Sequence, residues 1–267
     1  MQEATIDADQ VRFTDEGPKG SRPVVLVHGF PLDSNVWRHQ VVGLVQSGHR
    51  VICPDLPGFG QSQAPKPGDP PMSLDSLAEA LRELLRQQEA LPCVLAGLSM
   101  GGYVAFALAR QTPGALAGLV LVDTKPTADN DQQKQARNDM AALARAEGAG
   151  AVAERMLGKV LAEPHRVGPV SQEVMRMMSR QPPETVAQAC EAMRDRPDST
   201  PLLATLPMPV LWLTGEQDEL CPPEQVREWA ALTPGAKATV IPDAGHLTPI
   251  ENPAAVTTAV RTFVDGL

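Results

Sequence analysis

One stretch constrains the fold more than any other. Cys93-Val94-Leu95-Ala96 is an apolar run that leads directly into Gly97-Leu98-Ser99-Met100-Gly101, a G-x-S-x-G pattern. Helical spacing follows at once, with Val104, Ala107 and Leu108. A strand that turns this tightly into a helix holds its central residue in a strained backbone conformation. Only very small neighbours then escape collision. The turn lifts the Ser99 hydroxyl clear of a sheet and places it at a helix N-terminus, whose partial positive charge favours a developing anion. The plainer alternative is a serine that only caps the helix. Its setting between a buried strand and a helix favours a nucleophile.

A serine hydroxyl is a weak nucleophile at neutral pH, so it needs a base and an acid that orients the base. On a sheet with this elbow the expected chain order is Ser, acid, His. His246 follows an apolar run that ends near Ile241, in Ala244-Gly245-His246-Leu247, and is the candidate base. His39, His49 and His165 lie in polar contexts and read as surface residues, while His28 reads as structural, satisfying backbone groups beneath the site. Two residues compete as the acid. Asp218 lies in the loop after Leu211-Trp212-Leu213-Thr214, and Asp123 ends the run Leu119–Val122. Asp218 fits the commoner arrangement, and Asp123 with Thr124 fits a cap on the following turn.

A tetrahedral intermediate also needs two backbone donors aimed at its oxyanion. One is expected at Met100, directly after the nucleophile. The other is expected at Phe30, in His28-Gly29-Phe30-Pro31, where Gly29 lets the backbone approach a substrate.

Around these motifs the chain alternates between two periods. Apolar runs over 24–28, 50–54, 93–97, 119–123, 210–214 and 238–241 predict strands buried on both faces. Weaker runs at 5–7 and 11–14 predict a small leading hairpin. Leu74, Leu77, Leu81, Leu84 and Leu85 share one helical face, with Ser76 and Glu79 as an expected capping box. Asn252-Pro253 starts a last helix that turns Val256, Val260, Phe263 and Val264 inward. Pro65, Pro67, Pro70 and Pro71 mark an exposed loop. The alternation predicts an α/β domain with a mostly parallel central sheet flanked by helices.

Residues 124–205 break the pattern, because no strand is visible and four or five short helices are. They predict an all-helical cap inserted after the sixth strand, over the sheet edge where open α/β sheets bind ligands. The core is then residues 1–123 and 206–267. The insertion holds Met140, Met156, Met175, Met177, Met178 and Met193, which suits an adaptable apolar pocket as well as ordinary core packing. Its Arg180, Arg194 and Arg196 reach inward or form a solvated face.

Composition removes several classes of partner. A net charge of −9 argues against nucleic acid and anionic membranes, both of which reward Lys and Arg. The four cysteines, Cys53, Cys93, Cys190 and Cys221, have neither C-x-x-C nor zinc spacing, so reduced thiols and no metal site are expected. No signal-like or membrane-length apolar run is visible, and the simplest expectation is a cytoplasmic protein.

Val27-His28-Gly29-Phe30-Pro31, Asp55-Leu56-Pro57-Gly58-Phe59-Gly60-Gln61-Ser62, Gly97-Leu98-Ser99-Met100-Gly101-Gly102, Gly215-Glu216-Gln217-Asp218, and Gly245-His246 followed by Glu251-Asn252-Pro253 together resemble the capped single-domain α/β-hydrolases. The resemblance runs from about residue 22 to the end and weakens across the insertion. It is similar to small carboxylesterases, 3-oxoadipate enol-lactonases and cofactor-free haloperoxidase-like perhydrolases. It implies acyl or lactone hydrolysis without metal or organic cofactor, on a small-molecule ester or lactone. Haloalkane dehalogenases and epoxide hydrolases would need an aspartate at position 99, and dienelactone hydrolases a cysteine. A carboxylesterase acting on short to medium acyl chains leads, with the enol-lactonase and perhydrolase as alternatives. A receptor-like ligand-binding scaffold on the same fold is the non-enzyme alternative.

Overall fold

Alternating apolar runs pair because a strand buried on both faces must satisfy its backbone groups in a ladder. The computed structural model describes residues 1–6, 9–64, 66 and 68–267. Its strands are β1 (Gln2–Ile6), β2 (Asp9–Glu16), β3 (Pro23–Val27), β4 (Arg50–Pro54), β5 (Cys93–Leu98), β6 (Leu116–Val122), β7 (Val210–Gly215) and β8 (Lys237–Ile241). The helices are α1 (Arg38–Gln46), α2 (Leu74–Gln87), α3 (Met100–Gln111), α4 (Asp131–Glu147), α5 (Ala149–Val160), α6 (Pro169–Ser179), α7 (Pro183–Arg194), α8 (Thr200–Leu203), α9 (Pro223–Ala231), α10 (Thr248–Glu251) and α11 (Pro253–Asp265).

The eight strands form one sheet in the order β1-β2-β4-β3-β5-β6-β7-β8. From β3 to β8 every pairing is parallel, while β1 and β2 are antiparallel. The leading hairpin is therefore part of the main sheet, since β2 also pairs with β4 through Phe13 and Pro54. Asp7, Pro65 and Pro67, which the sequence assigned to that hairpin and to the proline loop, lie outside the described residues; Pro70 and Pro71 are exposed.

Side chains along the inner strands alternate between two cores. Val25, Val27, Leu95, Leu119, Leu121 and Trp212 pack on the side of α2, α3 and α9. Val24, Leu26, Val94, Ala96, Val120 and Leu213 pack on the side of α1 and α11. The α2 helix starts one turn earlier than expected. Ser73 is its N-cap and exchanges bonds with Ser76, while Glu79 pairs with Arg82 instead. At α11 the Asn252 side chain accepts from the Ala255 N–H, as the Asn-Pro start implies, and Phe263 is only half-buried beside Val256, Val260 and Val264.

Five helices, α4 to α8, separate β6 from β7. The chain builds β4 on one side of β3 and β5 on the other, so the loops after β3 and β5 diverge at the C-terminal edge. Such a switch point opens a crevice in a parallel sheet. Phe30 and Ser99 follow those two strands. No helix among the described residues is long and apolar enough to cross a membrane.

Candidate active site

Ser99 sits between the last residue of β5 and the first of α3 with φ of 50° and ψ of −110°. For a residue with a Cβ this is a costly region, held only where the surroundings over-determine it. Here they do. The Ser99 N–H donates to Val122 O at 2.9 Å, and its carbonyl accepts from Thr124 Oγ1 at 2.8 Å. A Cβ at Gly97 would run into Gly101 O, and one at Gly101 into Val27 O, so neither position tolerates a larger residue without moving backbone.

The three residues expected to act together do meet. His246 Nε2 lies 2.9 Å from Ser99 Oγ, and Nδ1 lies 2.9 Å from Asp218 Oδ2 and 3.1 Å from Oδ1. Asp218 and His246 are buried, while Ser99 is half-buried at the foot of a cavity. Asp218 Oδ1 also accepts from the Leu220 and Cys221 N–H groups at 2.8 and 3.0 Å. Burial raises the Asp218 pKa, but the His246 charge and hydrogen bond, with those two N–H groups, outweigh it. The carboxyl is held below its usual value.

Asp123 is the acid that does not reach the histidine. Its φ is 46°, and its side chain does not cap the following turn. Oδ1 accepts from Gly215 N–H at 3.1 Å, and Oδ2 accepts from Thr248 N–H at 3.1 Å and lies 2.7 Å from Thr248 Oγ1. Burial first, and then the Asp218 charge, push its carboxyl well above the usual range.

The His246 loop is fixed from outside by Glu251. Oε1 accepts from the N–H groups of Gly245 and Leu247, both at 3.0 Å. Oε2 accepts from Ala162 N–H at 2.7 Å and lies 3.0 Å from His165 Nδ1. His165 is therefore no plain surface residue: it is half-buried and tied to the His246 loop through one carboxylate. The His246 N–H itself donates to Val160 O at the end of α5.

Beside Ser99, a Cβ on Gly29 would lie 3.2 Å from the Ser99 Cβ, so the loop after β3 runs hard against the serine. Among the described residues neither the Phe30 nor the Met100 N–H has a protein acceptor; Met100 directly follows Ser99, and Phe30 lines the same cavity as Ser99. His28 is fully buried under this loop. Its Nε2 accepts from Leu56 N–H at 3.0 Å, and its Nδ1 lies 2.9 Å from Gly29 O. The backbone role expected for it is the one it has.

The cavity above Ser99 has a volume of about 400 Å³. Phe30, Met140, Met156 and Met193 supply apolar lining, whereas Met177 and Met178 pack in the core. None of the three arginines singled out in the sequence lines it. Arg180 bonds to buried Asp33, with Nε at 2.9 Å from Oδ2. Arg194 pairs with Asp195 on the surface. Arg196 lies buried under the wall, 2.8 Å from Asp129 and 4.2 Å above the Tyr103 ring. Ligand-type atoms of Asp218, Cys221 and His246 fall within 4.8 Å of one another. Burial raises the Cys221 thiol well above its usual pKa. All four cysteines are free and buried.

Residues 22–253 match the family model described as alpha/beta hydrolase fold. The chain belongs to the alpha/beta hydrolase family. Among solved alpha/beta hydrolases it is similar to a thermophilic esterase from Thermogutta terrifontis, solved with malate bound. That likeness has 40% identity, a TM-score of 0.94, and covers 100% of this chain and 99% of the other. It is also similar to the enol-lactonase from Burkholderia xenovorans LB400, at 26% identity and a TM-score of 0.89, over 99% and 100% of the two chains. A pimeloyl-[acyl-carrier protein] methyl ester esterase from Edwardsiella ictaluri is 30% identical over 92% of this chain and 95% of its own.

Sequence reading missed two features of this alpha/beta hydrolase site. Glu251 was visible only as part of Glu251-Asn252-Pro253, with no sign that it clasps both sides of His246. Four cations that the sequence did not single out, Lys125, Arg137, Arg155 and Lys159, line the cavity. Lys125 follows Asp123 by two residues, and Arg155 with Lys159 shares one helical face, which is the signal that was available.

Proposed function

We propose that the protein is a serine hydrolase that cleaves carboxylic esters of short to medium acyl chains through an acyl-enzyme on Ser99. The observation that carries this reading is the unbroken relay from Ser99 Oγ through His246 to Asp218, with 2.9 Å at each link. His246 Nε2 takes the hydroxyl proton as Oγ bonds to the ester carbonyl carbon. The oxyanion that forms is held by the Phe30 and Met100 N–H groups. As it collapses, the bond to the alkoxy oxygen breaks and the departing alcohol takes the proton from His246. Water repeats the sequence on the acyl-enzyme, releasing the acid and restoring Ser99. Asp218 stays ionised throughout, and stabilises the imidazolium and its tautomer.

Helices α4 to α8 form a cap over Ser99 in this reading, and Met140, Met156 and Met193 form its apolar underside. The esterase names carried by two of the relatives support the ester class. A lactone is a cyclic ester and needs the same groups, so an enol-lactonase-like activity is the second reading, supported by the likeness to the Burkholderia enzyme. The test is a panel of p-nitrophenyl esters from acetate to palmitate beside simple lactones and enol-lactones. Turnover of the short esters is the expected result. A pure, folded protein that binds such compounds and hydrolyses none of them would instead be a receptor-like binder.

A further inference from the structure

The charge inside the cavity runs against the charge of the whole molecule. The protein carries a net −9, yet the residues lining the Ser99 cavity include Lys125, Arg137, Arg155 and Lys159 against only Asp129 and Glu219. Both carboxylates are already taken. Asp129 accepts from Arg196 at 2.8 Å and from Arg137 at 3.1 Å, and Glu219 from Arg166 at 3.1 Å. Lys125 Nζ is left 3.6 Å from Asp129 Oδ1, too far for a hydrogen bond, although its side chain is only 15% exposed. Among the described residues Arg155 and Lys159 have no ion pair, and their i,i+4 spacing on α5 sets both on the side that faces the cavity.

An ammonium removed from water without a hydrogen-bond acceptor is costly, and burial is what lowers the Lys125 pKa. A ligand that brings its own negative charge relieves that cost. From this arrangement we infer a carboxylate subsite in the cavity, with Lys125 at its floor and Arg155 and Lys159 at its rim, so that the preferred substrate is an ester or lactone carrying a free carboxylate away from the scissile bond. The inference rests on the hydrolase reading above for the scissile bond, but not for the anion. The subsite adds a role for the cap that apolar lining alone does not supply. It orients one end of the substrate while Met140, Met156 and Met193 contact the chain between the two ends.

Monomethyl glutarate and dimethyl glutarate differ by one methyl group and one charge, and so isolate the charge. In the intact chain kcat/KM for the monoanion should exceed that for the diester by tenfold or more. Lys125→Gln should lower that ratio at least tenfold, mainly through KM. Arg155→Gln, at an exposed position, should lower it severalfold and serves if Lys125→Gln does not fold. In parallel, glutarate is titrated calorimetrically into Ser99→Ala protein, with binding expected and lost on adding Lys125→Gln. Equal or faster cleavage of the diester, with no glutarate heat, overturns the subsite and leaves the hydrolase reading standing. Glutarate binding that depends on Lys125, with neither ester cleaved, keeps the subsite and overturns the hydrolase reading. No cleavage and no binding overturns both.

Discussion

Asp123 and Asp218 follow or end neighbouring parallel strands at the same sheet edge, yet only Asp218 is within hydrogen-bond distance of His246. Asp123 instead holds Gly215 and Thr248, which fixes the loop on either side of the relay. The two carboxylates therefore predict different mutants. Asp218→Asn should lower kcat by about 10³- to 10⁴-fold, because the imidazole loses its countercharge and its tautomer. Asp123→Asn places an amide against N–H donors, and should cost about 1–3 kcal/mol of stability while kcat stays within tenfold. Urea unfolding and steady-state kinetics on both variants check this, and a swap of the two behaviours moves the acid to the earlier strand.

The pH profile follows from the same pair. His246 takes the serine proton only as the neutral imidazole, so kcat/KM should fall on the acid side. Asp218 is held below the usual carboxyl range, so it remains ionised while the imidazole protonates. The acid limb should then have a slope of one proton, and a slope of two would show Asp218 titrating with it. A kcat/KM that stays independent of pH over the whole acid range in which the protein remains folded contradicts a histidine base.

Glu251 joins the His246 loop to the segment after α5 through four contacts. Glu251→Ala leaves several buried donors without an acceptor, each worth about 1–3 kcal/mol, so a loss of roughly 3 kcal/mol or more is expected. Because Gly245 and Leu247 flank His246, kcat should fall as well. A variant with an unchanged urea midpoint and unchanged kcat would show that the clasp does nothing in solution.

The parts of the site that were legible in the sequence are those fixed by close backbone approach. Gly97 is required by the Gly101 backbone four residues on, and Gly101 by the Val27 carbonyl on the neighbouring strand β3, so G-x-S-x-G at a strand end points to Ser99. His246 was legible because a single histidine lies at the right point in chain order. The choice of Asp218 over Asp123 needed the loop geometry, since both residues have the same residue type and the same sheet edge. The cavity cations were illegible for a different reason. Which side of α5 faces Ser99 depends on how the insertion packs, and Arg155 and Lys159 read equally well as a solvated face. Ser73 was missed as a cap because the leucine periodicity places the helix but not its first turn.

Chain length tests the shape of the cavity. Each buried methylene contributes about 0.8 kcal/mol, so kcat/KM should first rise along a neutral ester series. A cavity of about 400 Å³ fills with a short to medium acyl group, and longer chains must displace helices or remain in water. The series from acetate to palmitate should pass through a maximum and decline. A continuous rise to the longest chain would describe an open, lipase-like cleft.

The central claim is that Ser99 forms the acyl-enzyme, and intact-mass analysis after treatment with a fluorophosphonate probe tests it most directly. One adduct per chain is expected, mapped by peptide sequencing to Ser99, with no adduct on Ser99→Ala and ester turnover lowered by on the order of 10⁴-fold or more in that variant. A folded Ser99→Ala protein that still hydrolyses esters at near the normal rate, or an adduct on a different residue, would contradict the account.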